Sequence, residues 1–554
     1  MSRFRDVAPL LAVLAAGACH HQVYTAGPAA PVTPETADAR PGPAPDRTLD
    51  DFGTGLMMEP SYRLAERPVA LPVVEREFRG VWVATVGNLD WPSRRDLSAE
   101  QQQLELVRIL DTAREQGLNA VIFQVRPMAD ALFASTLEPW SEYLTGAPGQ
   151  DPGWDPLAFA IEQAHARGLE LHAWFNPFRA GFVAARTTPA PHHVRRRRPD
   201  LVHRYGTYYW MDPGEPDAQR HSLNVITDVV RRYDVDAVHI DDYFYPYRER
   251  DARGRLIPFP DEASWARYGV ATGLSRDDWR RANIDGFVEA LYTAVRAVNP
   301  HVRVGISPFG IWRPGHPATV RGLDTYGELY ADTRKWLLNG WADYYAPQLY
   351  WRTDAPQQPY VDLLDWWSEQ NPHGRHIWAG NIPNNINDTE RGWRAAEILE
   401  QVRLTRQHHG ATGNVHFSAS GLLRNAGGLG DAFRGHVYAA PALVPATPWL
   451  GSGVPPAPVV TAAPEAGMRA TLLQFGNDDA QAHAVHETGP AHPPARWIVH
   501  ARSDGEWQTM LLPGRHARAR IEWRRGAPPD MIAVSYTDRA GVESVATVLQ
   551  LESH

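Results

Sequence analysis

The chain has 554 residues, 55 basic and 64 acidic side chains, a formal net charge of −9 and a mean hydropathy of −0.41. That length exceeds one ordinary domain and predicts two or three. The moderate negative charge argues against a general nucleic-acid binder, and a single cysteine, Cys19, excludes an internal disulfide framework and a cysteine-based structural zinc site.

Arg3 and Arg5 precede an apolar run from Val7 to Ala18, and Ala16-Gly17-Ala18 leads into Cys19. The run is too short for a bilayer-spanning helix and looks like a bacterial signal peptide over residues 1–19 that ends in a lipobox, although Ala16 stands where Leu is commoner. The likeness implies cleavage before Cys19, a lipid anchor on Cys19 and, with no Asp after it, the outer membrane facing the periplasm. Residues 20–75, rich in Pro, Ala and Thr and without periodicity, read as a flexible tether.

From Phe78 the pattern changes, and apolar strand-like runs alternate with amphipathic segments. Strands are expected at Phe78–Val86, Leu118–Arg126, Leu169–Asn176, Val235–Asp241, Val302–Ser307, Ala342–Tyr350, Arg375–Asn381 and Gly413–Ser418. Helices are expected at Gln101–Gln116, Asp155–Arg167, Ala218–Tyr233, Asp285–Val298, Tyr326–Leu338 and Trp393–Gln407. Eight strands alternating with helices is the count of an α/β fold of the TIM-barrel type, a (β/α)8 barrel over residues 76–444. The long inserts, 127–154, 177–217, 243–280 and 351–374, follow strands and so fall on the face where such barrels keep their chemistry. A Pro-rich linker (445–464) and short alternating strands (465–554) then predict a small C-terminal β-sandwich of fibronectin type III character.

The richest segment is Val235-Asp236-Ala237-Val238-His239-Ile240-Asp241-Asp242-Tyr243-Phe244-Tyr245-Pro246. With Val238 and Ile240 facing the helices, His239 and Asp241 face the barrel interior. Carboxylates beside aromatic rings suit a sugar, which stacks on rings and is cleaved by acids. Other strand ends offer Gln124, Arg126 and Asp130; His172, Trp174 and Asn176; Gln348, Tyr350 and Trp351; Trp378 and Asn381; and His416 and Ser418. Together with Trp82 they describe a polar cleft with stacking platforms.

Phe78-Arg79-Gly80-Val81-Trp82-Val83-Ala84-Thr85, Phe123-Gln124-Val125-Arg126-Pro127-Met128-Ala129-Asp130-Ala131, Leu171-His172-Ala173-Trp174-Phe175-Asn176-Pro177, the His239–Pro246 run and Pro347-Gln348-Leu349-Tyr350-Trp351 resemble the glycosyl hydrolase 10-like family in consistent order over about 76–440. The resemblance implies a barrel enzyme without cofactor or metal that acts on peptidoglycan glycan strands, notably those stripped of stem peptides, with cell-division proteins as candidate partners. Asp241 is then the expected nucleophile or charge stabiliser, with His239 holding it. The proton donor stays open among Asp242, Asp130 and Glu138, and substrate assistance by Asp241 or Asp242 on an N-acetyl group, supported by Tyr350, is the other route. Arg126 and the run Arg195–Arg198 are the expected contacts for the lactyl carboxylate of muramic acid. Asp130, His172, Trp174, Asn176, Tyr243, Gln348, Tyr350, Trp351 and Asn381 complete the expected substrate contacts. Two rival classes compete: a metallohydrolase using His172, His239, Asp241 and His416, and a non-catalytic wall-binding lipoprotein.

Overall fold

The computed structural model describes residues 61–387, 392–451, 453–465, 468–476 and 494–552. The expectations for the signal peptide, Cys19 and the tether up to residue 60 lie outside the described residues. No described helix is long and apolar enough to cross a membrane.

Eight parallel strands close a barrel: β1 (Phe78–Val83), β2 (Ala120–Arg126), β3 (Glu170–Phe175), β4 (Ala237–Ile240), β5 (Arg303–Ile306), β6 (Tyr344–Tyr345), β7 (His376–Asn381) and β8 (Gly413–Phe417), each paired to the next and β8 to β1. The principal helices that follow β1 to β7 are α1 (Ala99–Glu115), α2 (Pro156–Arg167), α3 (Pro216–Arg232), α4 (Arg276–Val298), α5 (Thr333–Asn339), α6 (Tyr360–Glu369) and α7 (Ala395–Gln407). Local chemistry sets their ends. Ser98 and Gln101 form a reciprocal capping box on α1. Asp155 caps α2 ahead of Pro156, and Gly168 closes it in the left-handed conformation.

Strand parity sorts the core into two layers. Val81, Val83, Val121, Phe123, Leu171, Ala173, Val238, Ile240, Val304, Ile306, Ile377 and Ala379 pack outward against the helices. Phe78, Trp82, Ile122, Trp174, Ala237, Tyr344, Trp378 and Val415 fill the interior. Where β5 and β6 run side by side, Gly305 is paired with Tyr344, and a Cβ on Gly305 would sit 1.8 Å from the Tyr344 ring. The missing side chain is what lets that ring lie across the barrel.

All eight expected strands form, with differences that have local causes. The sixth was expected to reach Tyr350, but Pro347 has no N–H to donate, and beyond it only isolated bridges from Gln348 continue the sheet. The helix expected at Tyr326–Leu338 divides into Thr325–Glu328 and α5, because Tyr330 adopts a left-handed φ of 57° and Asp324 and Asp332 each cap a new start. Helix α6 lies in the 351–374 stretch read as an insert; its buried Tyr360, Leu363, Leu364 and Trp367 carry the helical period.

The C-terminal region holds a five-stranded antiparallel sheet, ordered Tyr62–Leu64, Thr547–Leu551, Met531–Thr537, Arg496–Ser503, Glu506–Pro513, and a three-stranded one, ordered Val460–Pro464, Ala470–Phe475, Arg518–Glu522. They share one apolar core, with Phe475 stacked on Trp497 at 4.5 Å, which makes a sandwich. Two boundaries therefore move. Val460–Pro464, read as linker, is a strand. Tyr62–Leu64, read as tether, pairs with Leu549–Leu551, and the Tyr62 hydroxyl donates to the Pro529 carbonyl at 3.0 Å. The sandwich and the linker before it meet the end of the barrel where strands begin, through the Arg539–Asp234 ion pair and the linker's Trp449 Nε1–H, which donates to Asp343 (2.8 Å). The opposite mouth is left to the loops after the strands.

A chain beginning at residue 67 is expected to be about 1–3 kcal/mol less stable than one beginning at residue 60, because the last strand loses its neighbour. Denaturant unfolding of the two proteins checks this; equal stability would remove residues 60–66 from the sandwich.

Candidate active site

β4 ends at Ile240, and Asp241 and Asp242 stand at its mouth, 3% and 4% exposed. Different sides of the barrel hold them. Asp241 accepts from Trp174 Nε1–H (3.1 Å), Asn176 Nδ2 (3.2 and 3.3 Å) and the Tyr243 backbone N–H (3.4 Å). Asp242 accepts from the Tyr247 hydroxyl and from Gln348 Nε2 (3.0 Å), which also donates to the Ser307 carbonyl (3.0 Å). Every one of these donors is neutral. Burial dominates as a result and pushes Asp241 up to about 7, with the charge of Asp242 adding to the rise and Arg179 opposing it. Burial also raises Asp242, against the bonds from Tyr247 and Gln348. Tyr350 lies close enough for Asp242 to raise it further.

His239 does not hold Asp241. The Trp82 indole N–H donates to His239 Nε2 (3.1 Å), which leaves Nδ1 as the protonated nitrogen, donating to the Tyr344 hydroxyl (3.0 Å). Tyr344 in turn donates to His172 Nδ1 (2.9 Å), and His172 Nε2–H donates to Glu170 (3.1 Å), which is paired with Arg303 (2.5 Å). Burial depresses both histidines, His239 well below its ordinary value. His239 and His172 thus belong to a neutral polar column down the barrel axis. Its top touches Ser307, whose hydroxyl lies 3.0 Å from His239 Nε2. His172 is therefore a column member rather than a substrate contact.

Two other expected contacts, Arg126 and Asn381, and the proton-donor candidate Glu138 are structural. Arg126 is fully buried, bonded to Glu138 (2.8 and 2.5 Å) and to the carbonyls of Asn176 and Pro177 (2.6 and 3.0 Å). It braces the loop after β3 and has no reach to a ligand. Glu138, paired also with His221, is held down at about 2, so it is no proton donor. Asn381 points outward by the parity of β7, donating to the Tyr360 hydroxyl (3.2 Å) and Gln401 (2.8 Å) in the helical layer. Trp378 stacks on Phe78 (3.5 Å) inside the barrel, and His416 lies against Phe433 and Tyr438. In the arginine run, Arg195 covers Tyr209 and Arg198 pairs with Asp200. Asp130, pushed up to about 6 by burial, accepts from the Met128 N–H (2.8 Å) and lines a small groove with His193 and Arg195. The four residues of the metal reading do not converge, and no cluster fit for a metal ion occurs among the described residues.

Trp174, Asn176, Tyr243, Gln348 and Tyr350 are brought to the acid pair, and half-buried Trp351 stands on the same mouth with its ring edge-on to Phe309 (5.6 Å). The sequence reading missed Tyr247, Ser307, Tyr344 and Arg179. Arg179 follows the turn Asn176-Pro177-Phe178, and its backbone N–H donates to Asn176 Oδ1 (2.9 Å), which orients the Asn176 amide toward Asp241.

The sequence profile of the family described as Glycosyl hydrolase-like 10 matches residues 77–394. The chain is 42% identical over 447 residues to Glycosyl hydrolase YngK of Bacillus subtilis, covering 79% of this chain and 85% of that one. It is 36% identical over 324 residues to Glycosyl hydrolase DigH of Escherichia coli K12, covering 54% and 72%. Among solved structures, the PgaB (BpsB) glycoside hydrolase domain from Bordetella bronchiseptica matches with a TM-score of 0.43 and 15% identity over 65% of this chain and 98% of that one.

The Asp241 carboxyl has its folded pKa above the unfolded value, so its stabilising contribution is complete below about pH 4 and is lost as pH rises through about 7. Asp241→Asn removes the charge and keeps an acceptor. It is expected to stabilise the protein by about 1–4 kcal/mol at pH 8.5 and to give no gain at pH 4. Unfolding curves at the two pH values check this, and a variant less stable than wild type at both contradicts the burial argument.

Proposed function

The chain belongs to the glycosyl hydrolase-like 10 family, and from that premise we propose that it hydrolyses glycosidic bonds of cell-wall glycan, in particular peptidoglycan strands that lack stem peptides. The observation that carries this reading is the acid pair, two buried carboxyls on adjacent residues at the catalytic mouth, one of which keeps its proton near neutrality. Protonated Asp241 gives its proton to the glycosidic oxygen as the C–O bond breaks and the bond pair leaves with that oxygen. Asp242, fixed by Tyr247 and Gln348, offsets the positive charge that develops on the sugar or holds its N-acetyl group. Water adds to the anomeric carbon, and its proton returns to a carboxylate of the pair. Trp174, Tyr243, Tyr350 and Trp351 supply the apolar walls against which a sugar ring stacks.

The envelope address rests on the N-terminal pattern. A lipid on Cys19 would hold the enzyme at the outer membrane beside its substrate.

Purified protein lacking residues 1–19 is expected to release fragments from amidase-stripped peptidoglycan, detected by mass spectrometry. Asp241→Asn and Asp242→Asn should each lower kcat by about 10²–10⁴-fold. In the wild type, kcat/KM should fall as pH rises through about 7, where Asp241 loses its proton. Sacculi that are bound but not cut would make the protein a wall-binding lipoprotein instead.

A further inference from the structure

Arg179 is a cation beside the acid pair whose hydrogen bonding is unfinished. It is 4% exposed, its Nε–H donates to the Pro127 carbonyl (3.1 Å), and its guanidinium lies over the Tyr243 ring at 5.0 Å. Tyr243 is the residue whose backbone N–H donates to Asp241. The two terminal nitrogens of Arg179 make no hydrogen bond or ion pair among the described residues, and they are not among the sealed polar atoms. Other buried arginines of the barrel differ: Arg79, Arg126, Arg280 and Arg303 each close on a carboxylate.

We propose that Arg179 is a specificity-determining residue whose open fork binds a carboxylate substituent on the sugar held beside Asp241, so that the preferred substrate is a glycan with an acidic sugar. This deepens the glycan-hydrolase reading above and rests on it.

The geometry supports the assignment in three ways. The Nε bond and the Tyr243 face fix the plane of the guanidinium, leaving its outer edge for the two parallel bonds that a carboxylate accepts. Asp241 and Asp242 feel the Arg179 charge without forming an ion pair with it, so the cation stays near the acids with its fork uncommitted. The Arg179 charge acts on both acids, which lessens the repulsion an anion meets at the site.

The test compares amidase-stripped glycan strands with the same strands after their carboxylates are converted to amides with carbodiimide and ammonia. Both turnover and binding are followed, the latter by tryptophan fluorescence of the full protein. Wild type is expected to favour the carboxylate strands by at least about 10-fold in kcat/KM and in affinity, the value of one charge-assisted contact. Arg179→Gln should bring the ratio to about 1, and Arg179→Lys, which keeps the charge without the fork, should keep part of the preference. A wild type that does not distinguish the two strands overturns the proposal. So does an Arg179→Gln variant that keeps the ratio and only moves the pH profile upward on both substrates, because Arg179 would then be a counter-charge for the acids alone. Failure of the hydrolase reading looks different: wild type would cut neither strand, while the affinity ratio and its response to Arg179→Gln would still decide the role of Arg179.

Discussion

The site depends on one constraint: two adjacent carboxyls are buried at the end of β4 with neutral donors as their direct partners. A buried carboxylate with an arginine in contact is held low, as Glu138 is by Arg126. Asp241 instead has an indole N–H, a side-chain amide and a backbone N–H, and these compensate only part of the cost of burying charge. The protein thus keeps one acid that is protonated near neutral pH and places it where strand mouths, loops and aromatic rings converge. Separation of Arg179 from the acids is part of the same design, since contact would drive Asp241 down and remove its proton.

Beneath the pair the interior is not a plain apolar core. Gly305 admits the Tyr344 ring, Tyr344 joins His239 to His172, and Glu170 with Arg303 closes the column. The two imidazoles and the Tyr344 hydroxyl are bonded in series, so the column fixes the rotamer and tautomer of His239 and, through Trp82 and Ser307, the floor of the site. Ser307 also presents the carbonyl that anchors Gln348, and Gln348 anchors Asp242. Packing and chemistry are therefore continuous: the floor of the pocket is the top of the core.

Much of this was legible in the sequence because strand parity is a local property. Val238 and Ile240 outward, His239 and Asp241 inward, follows from alternation alone, and so do the eight strands. Residue type misleads where a partner distant in sequence decides the role. Arg126 was read as a ligand because nothing local shows that Glu138 neutralises it across a loop. Asn381 was read as a contact although His376, Trp378 and Gly380 take the inward parity of β7. The pairing of Tyr62–Leu64 with Leu549–Leu551 joins the two ends of the chain, and no periodicity reports a contact of that range. Arg179 was overlooked because its meaning lies in bonds it does not make.

The most direct measurement is the protonation of Asp241 itself. Infrared difference spectra of protein with ¹³C-labelled aspartate, wild type against Asp241→Asn, isolate the carboxyl band of that residue across a pH titration. The expected band is that of a protonated carboxyl that titrates near pH 7. A band already ionised at pH 5 would contradict it, and Asp241 would then be a charge stabiliser with the proton coming from elsewhere.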